Sequence, residues 1–370
     1  MTIEEKELQE LAKVEYKTPI LSVYLNVDPT QRTSEEYLLS LRNMLKEVEG
    51  RAASEDIAAV QRYFEHEYDW SGRGVVIFSC NAEDFWRAYT VAVPVASGAT
   101  LARRPYLSPL AALMDAYGRY AVVLVDRQSV RLMAFQLGKL AQEQAFEGEE
   151  VRKLKKGRGS SGGPGRRGGA PISSRREEEV VTRNLKEAAK FVDMFCRQYK
   201  PRQLILAGTD HTIAQFEDFL PKSLQEQVIG TMTVSVGAGE PEIREQSLGI
   251  IQRADREREA KIVQAALTAA AKGKEGVAGL EGTLSAAHEG RILTLVIDRH
   301  YHAPGYRCNN CGYLTAEAME ICPFCGGTFA EIPDAAEAVV TKVIEDGGTI
   351  EVVDDNAQMA QTGIGALLRY

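Results

Sequence analysis

The sequence predicts an α/β protein built of three α/β domains, the third carrying a small cysteine-rich insert, and three observations support that reading. Strand-like apolar runs such as 21–27 and 75–79 alternate with amphipathic helical stretches along the whole chain. At 370 residues the chain exceeds what one hydrophobic core usually holds, so two or three domains are expected. Four of the six cysteines fall in one short window as two C-x-x-C pairs, the spacing of a metal-held insert.

The first domain is placed at residues 1–112. Thr2 and Glu5 have the spacing of a capping box. The helix that opens at Ser34, read as its N-cap, sets Leu38, Leu41, Leu45 and Val48 on one face and stops at Gly50. The run 88–94 adds a strand, and a helix over 109–117 leads into a second domain at 113–239. There 121–125, a turn at 126–128 and 130–135 read as a β-hairpin, with a third strand at 140–146. Residues 157–171 are rich in Gly, Arg and Ser; a composition that buries no core makes them a loop. A helix expected over 177–199 presents Val181, Leu185, Ala188, Val192, Phe195 and Tyr199 on one face. It places three glutamates in its first turn, where the helix dipole favours them. Runs 204–207 and 228–234 supply further strands. The third domain, 240–370, opens with a charge-laced helix over 241–272. A strand at 292–297, the cysteine insert at 304–328, a helix over Ala335–Glu345 and a strand over Thr349–Val353 follow.

Composition narrows the function. With 44% hydrophobic and 26% charged residues, wholesale disorder and fibrous structure are excluded. Apolar runs such as 121–125 fall far short of the roughly 20 residues of a membrane span. The acidic N-terminal stretch lacks the regions of a secretory signal, so a cytoplasmic protein is expected. The net charge is −8, yet residues 152–176 hold nine basic residues and no acidic one, which leaves −17 on the rest. A cationic segment on an acidic body points to a localised polyanion contact. The candidate RNA-binding residues are Arg152, Lys153, Lys155, Lys156, Gly157, Arg158, Gly159, Gly162, Gly163, Arg166, Arg167, Gly168, Gly169, Ala170, Arg175 and Arg176. A solvated RG-type insertion is the alternative.

The candidate metal ligands are Cys308, Cys311, Cys322 and Cys325. Four thiolates close a tetrahedral zinc site and leave no position for water, so the expected cofactor is structural zinc, with a rubredoxin-like iron site as the alternative. His300 and His302 are read as surface or strand-end residues, and Cys80 and Cys196 as core residues. Residues 157–162 satisfy G-x-G-x-x-G and 159–163 satisfy G-x-S-x-G, but neither has the strand-turn-helix context its chemistry requires. Asp210 before His211 reads as a helix cap. No Ser-His-Asp or Cys-His set and no P-loop is present, so no catalytic residue is assigned.

The basic, Gly-Gly-containing stretch 153–171, followed directly by a helix, resembles the central domain of the archaeal and eukaryotic class 1 peptide chain release factors, whose tip carries Gly-Gly-Gln. The paired C-x-x-C after a strand and the ending 363–370 are similar to the C-terminal domain of the archaeal members, a ribosomal-protein-like fold with a zinc ribbon. The resemblance covers about residues 115–370; before that, only 19–29 is similar to bacterial members, and the Asn-Ile-Lys-Ser codon-reading motif is absent. The departures bear on activity. No glutamine stands between Gln144 and Gln198, and Gly162-Gly163 is followed by Pro164, which has no N–H for a developing oxyanion. Gly168-Gly169 is followed by Ala170, which keeps its N–H.

In these departures the chain is similar to a non-hydrolytic group that includes Pelota and the hibernation factor Balon. The resemblance implies a tRNA-mimicking arrangement of domains and a monomer that occupies the A site of the 70S ribosome, in hibernation or rescue. It implies loop contacts with ribosomal RNA toward the peptidyl-transferase region, and an N-terminal domain facing the decoding region. A translational GTPase of the elongation-factor-Tu class is implied as a partner; membrane and DNA are not. Two alternatives stay open: a rescue factor that hydrolyses peptidyl-tRNA through the backbone around Ala170, and an RNA-binding protein that acts away from the ribosome.

Overall fold

The computed structural model describes residues 3–151, 170–235, 237–354 and 356–370. It is of mixed α/β class and divides into two compact units, one made of Met1–Tyr117 with Asp255–Tyr370 and the other of Gly118–Ala254.

The first part of the larger unit contains α1 (Glu5–Ala12), β1 (Ile20–Asn26), α2 (Ser34–Val48), α3 (Ser54–Arg62), β2 (Gly74–Cys80), β3 (Phe85–Val91), β4 (Gly98–Ala102) and α4 (Ser108–Tyr117). Its sheet has the order β3-β2-β1-β4 with every pair antiparallel. Leu21, Val23 and Leu25 of β1 and Val75 and Ile77 of β2 face α2, whose Tyr37, Leu41, Leu45 and Val48 complete the core. Tyr37, not Leu38, takes the first core position, because its hydroxyl donates to the buried Asp28 carbonyl at 2.9 Å. The cap is Thr33 rather than Ser34: the Glu36 N–H donates to the Thr33 hydroxyl, and the Glu36 carboxylate accepts the Thr33 N–H at 2.8 Å, a reciprocal capping box.

The smaller unit is built on β5 (Arg119–Val125), β6 (Ser129–Gln136), β7 (Lys139–Glu147), β8 (Gln203–Ala207) and β9 (Val228–Met232), in the order β7-β6-β5-β8-β9. The expected hairpin is antiparallel, whereas β5, β8 and β9 run parallel. The return between β7 and β8 is made by α5 (Ala170–Tyr199). Its stripe of Val181, Leu185, Ala188, Val192 and Phe195 packs on Ala121, Val123, Leu132 and Leu206 of the sheet. α5 starts seven residues before the expected Glu177, so Pro171 lies inside it as its second residue, where a missing N–H costs nothing. The three glutamates therefore lie beyond the first turn. α6 (Asp210–Glu217) and α7 (Lys222–Gln225) follow β8. Thr209, not Asp210, caps α6, its hydroxyl accepting the Thr212 N–H.

α8 (Glu240–Ala271) leads back to the larger unit. There β10 (Gly276–Ala278), α9 (Leu280–His288), β11 (Ile292–Asp298), α10 (Ala335–Glu345), β15 (Thr349–Val353), α11 (Met359–Thr362) and β16 (Ile364–Leu368) surround a sheet of order β10-β16-β11-β15. Between β11 and α10 the chain makes β12 (Gly305–Cys308), β13 (Leu314–Thr315) and β14 (Phe329–Ile332), a separate three-stranded sheet of order β13-β12-β14. Among the described residues no helix is long and apolar enough to cross a membrane.

Candidate metal centre and the base of the basic segment

The cysteine insert is one turn used twice. The Cys308 N–H donates to the Tyr313 carbonyl at 2.8 Å and the Gly312 N–H returns to the Cys308 carbonyl at 3.1 Å. At the same offsets, the Cys322 N–H donates to the Gly327 carbonyl at 2.8 Å and the Gly326 N–H to the Cys322 carbonyl at 2.9 Å. Each second cysteine is followed by a glycine in the left-handed region, Gly312 at φ 76° and Gly326 at φ 71°, a conformation side chains resist. The repeated C-x-x-C-G is therefore what the backbone requires.

These turns bring the four sulfurs together. Cys308 and Cys325 Sγ are 3.4 Å apart, Cys311 and Cys322 Sγ 3.6 Å, and all four lie within 4.8 Å of one another. Zinc–sulfur bonds of about 2.3 Å give a tetrahedron whose edge is about 3.8 Å, so the donor set fits and could hold a metal ion such as zinc. The packing leaves no room beside it: a Cβ on Gly327 would come 2.9 Å from Asn310 Cβ and 3.2 Å from Cys308 Sγ. The thiols titrate apart. Cys325 is drawn down to about 6, first by the Gly327 amide. The Tyr313 amide also draws Cys311 down, but desolvation and the facing sulfurs outweigh it and push that thiol up to about 12. Crowded sulfur charge of this kind is what a bound cation relieves. His300 and His302 stand outside the cluster; both are exposed, and His302 Nδ1 lies 2.6 Å from Asp334. Cys80 and Cys196 are buried in apolar packing.

Of the candidate RNA-binding residues, Arg152, Lys153, Lys155, Lys156, Gly157, Arg158, Gly159, Gly162, Gly163, Arg166, Arg167, Gly168 and Gly169 lie outside the described residues. Ala170 opens α5, Arg175 is on the same helix, and Arg176 is exposed there. What the structure does show is how the chain is held where it enters and leaves this segment. Asn184 of α5, only 3% exposed, accepts the Glu149 N–H at 2.9 Å through Oδ1. Its Nδ2 donates to the Glu149 carbonyl at 2.9 Å and to the Arg127 carbonyl at 3.2 Å. One amide thus ties the chain after β7 to the β5–β6 turn and to α5. Ion pairs from Arg127 to Glu177 at 2.8 Å and from Arg183 to Glu149 at 3.1 Å surround it.

Residues 105–252, which include all of β5–β9 and α5, match the family model described as bacterial archaeo-eukaryotic release factor family 10. Through this segment the chain is similar to the bacterial members of the release-factor superfamily. Solved structures similar to the chain include an archaeal translation termination factor, aRF1 (16% identity, 100% of this chain and 99% of that chain, TM-score 0.25). Dom34 of S. cerevisiae, a translation termination-like factor, is another (10% identity, 100% and 92%, TM-score 0.39). A third is the archaeal Pelota of a ribosome-bound Pelota and ABCE1 model (13% identity, 99% and 94%, TM-score 0.40). No curated protein matches the chain.

Within the matched segment, the sequence places the basic stretch between a strand and a helix but gives no assignment to Asn184. The available signal was a single amide in the apolar stripe between Val181 and Leu185. A buried polar group at a core position must find partners, and here it finds three.

Proposed function

We propose that this protein is a ribosome-binding translation factor that occupies the A site without promoting peptide release, in hibernation or rescue. The carrying observation is that the release-factor family match spans residues 152–176, which hold nine basic residues, no acidic residue and no glutamine. Such a segment suits a phosphate-rich surface and lacks the side chain the resemblance associates with ester hydrolysis. In this reading domain 1–112 faces the decoding region, the basic segment of domain 113–239 reaches toward the peptidyl-transferase region, a GTPase of the elongation-factor-Tu class delivers the chain, and Cys308, Cys311, Cys322 and Cys325 of domain 240–370 hold a structural zinc. The test is co-sedimentation of the purified chain with 70S ribosomes as salt is raised. Binding that weakens steeply with salt, and that is lost on deleting 157–171, supports the reading; binding indifferent to the deletion sinks it.

One observation favours a second reading. Ala170 opens α5, where a backbone N–H is free of intrahelical bonding and the helix dipole favours negative charge. A rescue factor that hydrolyses peptidyl-tRNA through this N–H would release labelled peptide from a stalled complex and lose that release in Ala170→Pro.

A further inference from the structure

Three of the large apolar side chains most exposed among the described residues cluster in the cysteine insert: Met319 at 37%, Ile321 at 66% and Phe324 at 62%. Phe324 is nevertheless held in place. Its ring centroid lies 4.5 Å from that of His288 and 4.7 Å from that of Tyr313, and it sits between the turn cysteines Cys322 and Cys325. An aromatic ring braced on one side and open on the other gives up burial that its own fold does not recover. Such a pre-organised ring is the kind of anchor that dominates a binding interface, since little freedom remains to be lost on docking.

Charge decides what docks. Between Arg307 and Lys342 the chain contains no lysine or arginine, while Glu317 and Glu320, both exposed, flank Met319 and Ile321. Phosphate surfaces are bound through cationic side chains and repel carboxylates, so this tip is unsuited to RNA although the chain's basic segment suits it. An apolar anchor with an acidic rim fits an apolar pocket rimmed by lysine and arginine. We propose that Met319, Ile321 and Phe324 dock the cysteine insert onto such a protein surface. Resting on the ribosome-binding reading above, the partner is a basic ribosomal protein and not ribosomal RNA. The molecule then divides its contacts by charge, the 152–176 segment taking RNA and the acidic tip taking protein.

The experiment places a photo-cross-linker in the full chain, as Phe324→p-benzoylphenylalanine, and irradiates it on purified 70S ribosomes. A covalent product that survives ribonuclease and is identified as a ribosomal protein is expected. In parallel, Ile321→Ser with Phe324→Ala is expected to weaken 70S affinity about tenfold with metal content and thermal midpoint unchanged. A ribonuclease-sensitive product, or wild-type affinity in the double variant, overturns the docking inference while leaving ribosome binding standing. Failure of the unmodified chain to co-sediment overturns the ribosomal reading and, with it, this partner.

Discussion

The Glu337 carboxylate accepts the backbone N–H of Leu107 at 2.7 Å, joining residues 230 positions apart. It also bonds the Ser108 hydroxyl, so a side chain of α10 supplies the cap of α4 within the larger unit. Glu337 is enclosed, and burial above all pushes its carboxyl up to about 8. The folded pKa thus lies above the ordinary value of 4.5. The contribution of this group is full below the ordinary value and is lost as pH rises through about 8.

Glu337→Gln keeps the acceptor without the charge and is expected to leave stability near wild type at about pH 6, flattening its decline between about pH 5 and about pH 8. Glu337→Ala leaves the Leu107 N–H and Ser108 hydroxyl unpaired and should cost about 1–3 kcal/mol throughout. Urea unfolding across pH checks both. Glu351 and Glu259, also raised by burial, move in the same direction, so the difference between variant and wild type is the quantity to read. A Gln variant with an unchanged pH slope would show that Glu337 does not titrate there.

Arg258 fills the space between three carboxylates. Its Nη2 lies 2.6 Å from Asp255 and also pairs with Asp115, and its Nη1 lies 2.7 Å from the buried Glu351. Those carboxylate oxygens are within 4.8 Å of one another, a crowding that Arg258 relieves by charge and that a proton on a carboxyl also relieves. Glu351 is raised to about 8, by burial first and then by Asp115, with Arg258 opposing. Arg258→Met removes that opposition and leaves buried charge unpaired, with an expected loss of about 3–5 kcal/mol at neutral pH. Because the carboxyls then bind protons more tightly when folded, part of the loss returns as pH falls. Equal losses at acid and neutral pH would contradict this account.

Regular elements with a local signal were legible in the sequence. The α5 stripe, the β5–β6 hairpin and the bounds Ala335–Glu345 and Thr349–Val353 could be read because periodicity and turn residues act over a few positions. β4, with residues of intermediate burial throughout, was missed because its partner is distant in sequence, pairing β1 from Ile20↔Ala102 to Tyr24↔Gly98; the short α3 was missed because its nine residues bury only Asp56 and Val60, too few for a helical stripe. The cysteine cluster was legible because spacing alone forces two turns. The Glu337 cap and the Arg258 network were not, since long-range pairing of charges has no local pattern.

Asn184 is the residue on which the chain near the basic segment depends. Asn184→Ala would strand the Glu149 N–H and the carbonyls of Glu149 and Arg127, an expected loss of about 2–3 kcal/mol. Asn184→Asp keeps the acceptor but turns two donor contacts into repulsions, and should be at least as harmful. Hydrogen exchange at the Gly148, Glu149 and Val151 amides would accelerate in both, while that of the β8 amides would change less. Uniform acceleration across the unit would mean that Asn184 acts through global stability alone.

The cysteine centre makes the last prediction. Two identical turns with little apolar burial between them cannot hold four sulfurs within 4.8 Å against their own charge, so the fold of the insert should depend on the ion. Elemental analysis of the purified chain is expected to give one zinc per molecule, and none in Cys308→Ser or Cys322→Ser. Gly327→Ala should weaken retention under a chelator, because its Cβ would press on Asn310 and on the Cys308 sulfur. Limited proteolysis of the stripped protein should cut within 305–333 before it cuts elsewhere in the larger unit, whose sheet of β10, β16, β11 and β15 has its own core around Val263, Val296 and Val353. An insert that stays resistant after complete removal of metal would mean that packing alone organises the turns, and the role assigned to the four thiolates would fall.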